Sequence, residues 1–445
     1  MSILQLMLGI FMVFSLRLLY PWITNKLSLI TFFSLTALFL NAVFSQLRIM
    51  NLAYMVLETT TLSLVIAGLL FSRDLWPGNT DNTPPKQEHL KRLILIFTGG
   101  LMALICIHNI GNMGYLLSET NRETIGTLSP WGIFFNAAIL LFALYYSINN
   151  QTYNIVNSSL FRVSILTSAL AFSVVLFLVA LKLLPGNTDK IALGIGGVGF
   201  GNMSTNETSL LGCCLLLWVL QIQYVRGVSL MTLACLPSLI VMVLLTQSRI
   251  GIFCVFIIVF LYIFYTGKFR IKEILITFCV IALLSIPAFN VFVDRMEADS
   301  SMDGSGRAFI WVNYIDAFSE VATQKPLAWI FGVGPAGVVK LYNNTILEFF
   351  GLEVAQGTYF PLHSDVVFIF LTSGFLGLIL WFGLVTTAYT QIKRSGRHFC
   401  SVASFIIFVL YSFFDMMIYS TLSVWLLALA ITYPGNNQPN ISHEI

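Results

Sequence analysis

Apolar runs of roughly helix-spanning length follow one another along almost the whole chain. They lie near 3–20, 27–47, 51–71, 93–111, 129–149, 160–184, 208–224, 228–246, 250–266, 273–292, 364–386, 400–415 and 418–433. A helix needs about 20 mostly apolar residues to cross a bilayer. Inside hydrocarbon every backbone N–H and C=O must be satisfied within the segment, which helices do and open sheets do not. The expected fold is therefore an all-α polytopic membrane protein with about 12–14 transmembrane helices. The first run and the division of the last hairpin set that range.

Composition excludes the alternatives. Of the 445 residues 57% are hydrophobic and only 10% charged. Soluble domains carry roughly 25% charged residues, so this chain cannot clothe a soluble core of its size. Seven cysteines lie within or at the edge of apolar runs, with no C-x-x-C or His/Cys spacing for a metal. They read as small apolar side chains. The opening MSILQLMLGIFMVF lacks a basic stretch and a small-residue cleavage site, so it reads as a retained first span.

Lys and Arg in short connections set the orientation. Segments 72–92, 267–272 and 387–399 are basic, and Arg226 shares their parity. They are expected on the cytoplasmic side, with the C-terminus inside. The opposite connections, 112–128 and 185–207, carry one basic residue each, Arg122 and Lys190.

One connection is long. Residues 293–363 fall on the outer face, and loops of this length usually have a function. The expected organisation is a single membrane domain, 1–445, with this loop within it. Its Gly304-Ser305-Gly306-Arg307 is followed by a stretch whose apolar positions, Trp311, Tyr314/Ile315 and Phe318, recur at helical spacing. That stretch reads as an amphipathic helix at the membrane surface.

Three residues stand out chemically. Arg249, in Gln247-Ser248-Arg249-Ile250-Gly251, sits at the outer end of a span. Snorkelling accounts for such a residue. So does an anion site, because Ser248 and Gly251 leave room for a bulky anion beside the guanidinium. Arg307 has a similar glycine-rich approach, and guanidinium binds phosphate oxygens bidentately while keeping its charge. His363, in Pro361-Leu362-His363-Ser364-Asp365, opens the span after the loop. There Ser364 can cap the new helix. A positive helix end disfavours imidazolium, which suits a general base. An interfacial anchor is the other reading.

Other features carry less. Gly332-Val-Gly334-Pro-Ala-Gly337 matches G-x-G-x-x-G, but no βαβ unit surrounds it. It reads as a flexible turn folding the loop back. Arg17, Glu58, Lys182 and Asp415 are charges within or near spans, without an assigned role. Asp299 and Asp303 form no recognised metal motif, and there is no Walker A sequence.

Together these pieces resemble the bacterial O-antigen polymerases (Wzy) and the related O-antigen ligases. The resemblance covers about 200–434 and rests on three motifs: Ser248-Arg249-x-Gly251, Gly306-Arg307-x-x-x-Trp311, and His363-Ser364 followed after nine residues by Gly374-x-x-Gly377. The stretch from Phe200-Gly201 to Asn206 adds a family-like turn.

The resemblance implies an inverting, metal-independent glycosyltransferase with a GT-C-like fold and no cofactor, in the bacterial inner membrane with its active site facing the periplasm. It implies undecaprenyl-diphosphate-linked oligosaccharide as donor and acceptor, chain-length regulator and flippase partners, surrounding membrane lipids, and no nucleic acid. Arg249 and Arg307 would hold the diphosphate and His363 would activate the acceptor hydroxyl. Ser248, Gly306, Trp311 and Ser364 would line the substrate, and no residue would bind metal. Polymerase is the leading expectation. A ligase acting on lipid A-core, another polysaccharide relative, and a lipid-linked oligosaccharide transporter are the alternatives.

Overall fold

The computed structural model describes residues 35, 156, 158–181, 183, 204–267, 307–341, 362–394, 398–415 and 421–431. They hold helices α1 (Ser159–Ala180), α2 (Thr205–Arg226), α3 (Leu230–Leu245), α4 (Arg249–Thr266), α5 (Arg307–Gln324), α6 (Leu327–Phe331), α7 (Gly334–Leu341), α8 (Asp365–Arg394), α9 (Phe399–Phe414) and α10 (Thr421–Ile431). No strand occurs among the described residues. Four of the helices, α1, α2, α4 and α8, are long and apolar enough to cross a membrane, and α3 and α9 are shorter apolar helices. The chain is an all-α polytopic membrane protein. The spans expected at 3–149 and 273–292 lie outside the described residues.

Serine sets where these helices begin. Ser158, Ser204, Ser229 and Ser248 have extended backbone, and their side chains accept hydrogen bonds from the first helical turn. Those N–H groups have no partner within the helix, so such a cap contributes about 1 kcal/mol. At Ser204 and Ser229 the bond is reciprocated by Glu207 and Thr232. Arg226 in the last turn of α2 complements the negative pole there, and Gly227 supplies the left-handed exit, φ 83°.

Helix α2 is central among the described helices. It packs against α1, α3, α4, α9 and α10. Small residues bring neighbours in. A Cβ on Gly212 would lie 2.5 Å from Val243 Cγ2, and one on Gly251 would lie 2.4 Å from Ser209 Cβ. Side-chain bonds also cross: Trp218 Nε1 donates to Leu426 O at 3.1 Å, tying α2 to α10. The Trp218 ring meets Phe161 edge-on at 4.9 Å. The five described cysteines are free and buried, as their apolar setting predicts. Cys106 and Cys279 lie outside the described residues.

The expected span 364–386 is corrected by the structure. Helix α8 runs from Asp365 to Arg394 but leaves helical geometry at Gly374, φ 63° and ψ −159°. Two contacts with α9 show the consequence. Ser364 reaches Ser412 and Trp381 meets Phe408. The α9 residues are about one turn apart, the α8 residues nearly five turns, or about 25 Å in a straight helix. The chain must therefore turn at Gly374. The part beyond the turn, 375–394, is about 30 Å long, one hydrocarbon thickness. The segment 365–373 is a separate short helix at the bundle's end.

That turn receives the segment that follows α5. Gly332, φ 77°, ends α6 and sits against the backbone of Thr372 and Ser373. A Cβ there would fall 2.3 Å from Ser373 N, and one on Gly374 would fall 2.4 Å from Ile330 O. Val333 N donates to Leu371 O at 2.9 Å. The glycine motif is thus no flexible turn: Gly332 is fixed main chain to main chain, and Gly334 to Gly337 lie in α7.

The amphipathic helix expected after Arg307 is α5, with one correction. Tyr314 and Phe318 are buried as expected, but Ile315 is exposed. Ile310 and Ala317 complete the buried face instead, because positions three and four apart share a helix face.

Candidate functional site

Two of the three motifs fold in the same way. Ser248 accepts from Gly251 N at 3.3 Å, and its own N–H donates to Thr246 Oγ1. Arg249, half-buried, is then the first residue of α4. Ser364 accepts from Val367 N at 3.3 Å and donates to Ser412 O at 3.4 Å. Asp365, fully buried, begins α8, where the positive helix pole favours a carboxylate. Ser248 and Ser364 are 3% and 1% exposed. Their hydroxyls bond to backbone and shape the two turns.

These turns stand at one end of the bundle. Gly251, one turn into α4, lies against Ser209 of α2. The Ser209 hydroxyl meets Tyr411 Oη of α9 at 2.8 Å. One turn further along α9, Asp415 ends the helix, and its Oδ1 stands 3.5 Å from His363 Nδ1. Glu207, in the first turn of α2, lies close enough to Asp415 for their charges to interact. A continuous chain of contacts thus runs from the Arg249 turn to the His363 turn.

The third motif joins through Trp311. Its indole Nε1–H donates to the carbonyl of Leu362, the residue before His363. Arg307 opens α5, one turn before Trp311. Gly306 lies outside the described residues.

His363 itself has φ 49°. An L-residue in left-handed backbone costs about 1–2 kcal/mol, and such strain is often found at functional sites. Its side chain is 29% exposed and that of Asp415 is 9%. With an ionised Asp415, which only accepts hydrogen bonds, Nδ1 is the donor in this contact, and a neutral ring then carries its lone pair on Nε2, where it can take a proton from a substrate. Contacts of this length often tighten when substrate binds.

Asp415 is what sequence reasoning missed. It was visible as a charge near a span. Nothing in its sequence neighbourhood connects it to a histidine 52 positions away.

Residues 232–382 match the Wzy_C family, O-antigen ligase. This match is consistent with the O-antigen polymerase and ligase superfamily. The matched stretch runs from α3 into α8, so it contains the Ser248, Arg307 and His363 motifs. It covers about a third of the chain and leaves Ser209, Tyr411 and Asp415 outside. No curated protein sequence matches the chain.

Proposed function

We propose that the chain is an O-antigen polymerase, an inverting, metal-independent glycosyltransferase of GT-C type. It joins repeat units carried on undecaprenyl diphosphate, at the periplasmic face of the bacterial inner membrane. The observation that carries this reading is the His363–Asp415 contact, at the bundle end that also holds the Arg249 turn. Asp415 orients the imidazole, and Nε2 removes the proton from an acceptor sugar hydroxyl. The freed oxygen attacks the anomeric carbon from the face opposite the diphosphate. The carbon–oxygen bond to the diphosphate breaks, and the electron pair leaves with undecaprenyl diphosphate.

Negative charge grows on the leaving diphosphate as that bond lengthens. Arg249 and Arg307 are assigned to grip it, because fixed guanidinium groups stabilise charge that develops in the transition state. The donor's own diphosphate linkage drives the step, so no nucleotide is consumed. Ser248, Ser364 and Trp311 serve the substrate indirectly by shaping the turns that present Arg249 and His363; Gly306 frees the approach to Arg307. The chain acts as one membrane domain, 1–445, with the loop 293–363 outside. A flippase supplies its lipid-linked units and a chain-length regulator limits its product.

The family description favours a second reading, a ligase that transfers the lipid-linked glycan to lipid A-core. Deleting the gene separates the two. A lipopolysaccharide ladder reduced to core bearing one repeat unit identifies the polymerase, and naked core identifies the ligase. Purified protein given lipid-linked repeat units should elongate them in excess EDTA. Strict dependence on a divalent cation would overturn the arginine assignment.

A further inference from the structure

Helix α6 is apolar on every side, yet it belongs to the long connection. Leu327, Ile330 and Phe331 are 67%, 48% and 40% exposed. The surface does not stop there. Past the turn in α8, Phe375, Ile379 and Phe382 are 52%, 62% and 47% exposed. They recur at helical spacing along the membrane-spanning part of that helix. Trp329 joins the two surfaces: its ring stacks on Phe375 at 6.2 Å and 21°, and meets Phe318 edge-on at 5.3 Å.

We propose that α6 is a membrane-inserted element whose partner is lipid acyl chains, in the leaflet on the His363 side. Continuity with the α8 stripe carries the inference. The stripe faces outward from a span of hydrocarbon length, and α6 extends it without a polar break. Main-chain bonds at both ends of α6 lower the cost that hydrocarbon imposes on unpaired backbone. Ala328 N donates to Lys325 O at 2.8 Å, Trp329 N to Pro326 O at 3.2 Å, Gly332 N to Ala328 O at 2.7 Å and Val333 N to Leu371 O at 2.9 Å. The chain turns polar immediately upstream, where Thr323, Gln324 and Lys325 are exposed. That sequence suits a segment dipping from the headgroups, since a lysine there can snorkel to water. An inserted α6 holds Gly332 against Gly374 at a fixed depth, and so fixes the height of the segment that begins at His363.

The test uses the full-length protein in phosphatidylcholine–phosphatidylglycerol nanodiscs. Spin labels are attached at Ile330→Cys, Leu327→Cys, Ile379→Cys and Thr323→Cys, with the parent chain as the blank for native cysteines. Relaxation is measured with oxygen, which concentrates in lipid, and with a water-soluble nickel chelate. The labels at 327 and 330 should behave like the α8 label at 379: oxygen-accessible and several-fold less exposed to nickel than the label at 323. Nickel exposure equal to that at 323 overturns the proposal, because α6 then faces water. Shielding from both agents also overturns it, because protein then covers the helix. All four positions are on exposed or outward-facing turns, and size-exclusion profiles check that each variant folds.

Discussion

Gln247 and His363 share one backbone state, φ 55° and 49°, and each directly precedes the serine that caps the next helix. They are the two non-glycine residues with left-handed backbone among those described. In each turn a charged residue follows the serine, Arg249 in one and Asp365 in the other. A left-handed residue bends the chain sharply enough for the serine to begin a helix at once. The strain cost, about 1–2 kcal/mol at each position, is tolerated at the two turns that present Arg249 and His363.

The first prediction concerns that strain. Gln247→Gly adopts the same backbone without a Cβ, so it should hold stability within about 1 kcal/mol of the parent. Gln247→Val places a β-branched residue at positive φ and should cost more than about 2 kcal/mol. Thermal unfolding in detergent compares them. Equal melting temperatures for the two variants would remove the turn from the account.

For the histidine, His363→Ala should lower turnover by about 10² to 10⁴-fold, the usual share of a general base. His363→Gln should fall as far, since it cannot accept the proton. Full-length glycan ladders from the Gln variant would leave His363 with acceptor positioning alone.

Asp415→Asn keeps the size of the side chain but removes the charge that holds the proton on Nδ1. Turnover should fall about 10²-fold, comparable to other losses of catalytic alignment, while donor binding is kept. Kinetics with saturating lipid-linked donor separate the two. An unchanged turnover number would show that the contact with His363 has no catalytic part.

Arg249→Lys and Arg307→Lys retain charge but lose the planar fork that matches a diphosphate. Both should rescue poorly relative to the Ala variants, judged by ladder length at equal membrane abundance. Full ladders from both Lys variants would reduce these arginines to interfacial anchors.

At the α6–α8 joint, Gly332→Ala and Gly374→Ala meet two penalties. Each forces an L-residue to positive φ, about 1–2 kcal/mol, and each pushes a methyl into backbone of the other segment. Overpacking adds about 1–3 kcal/mol. Gly227→Ala supplies the control, because its φ is 83° and nothing lies within 4 Å of its added Cβ. The joint variants should lose several degrees more in melting temperature than Gly227→Ala; equal losses would mean that the joint yields.

Much of this was legible in the sequence because its causes are local. Apolar length gave the helices, and Ser364 before an apolar run gave the start of α8; that Ser248 caps α4 in the same way was not read from the sequence. Three kinds of feature were not legible. The turn in α8 depends on Gly374 meeting Gly332, which lies in another segment. A glycine in an apolar run reads as ordinary in a membrane helix. Ile315 fits the apolar period of α5, but which residue of a period faces inward depends on what packs there. Asp415 acquires its partner only when the end of α9 meets the start of α8, a tertiary contact with no trace in spacing.

The central place of α2 has a consequence for how the protein is made. It is the least apolar of the four candidate spans and the most enclosed, and Gln221 within it is wholly buried. Of its five neighbours among the described residues, α1 precedes it in the chain and α3, α4, α9 and α10 follow it. During translation α2 therefore enters the membrane before four of the helices that enclose it. Chains cut short after α2 should be recognised as incomplete and degraded, whereas chains that reach α10 close the ring around it.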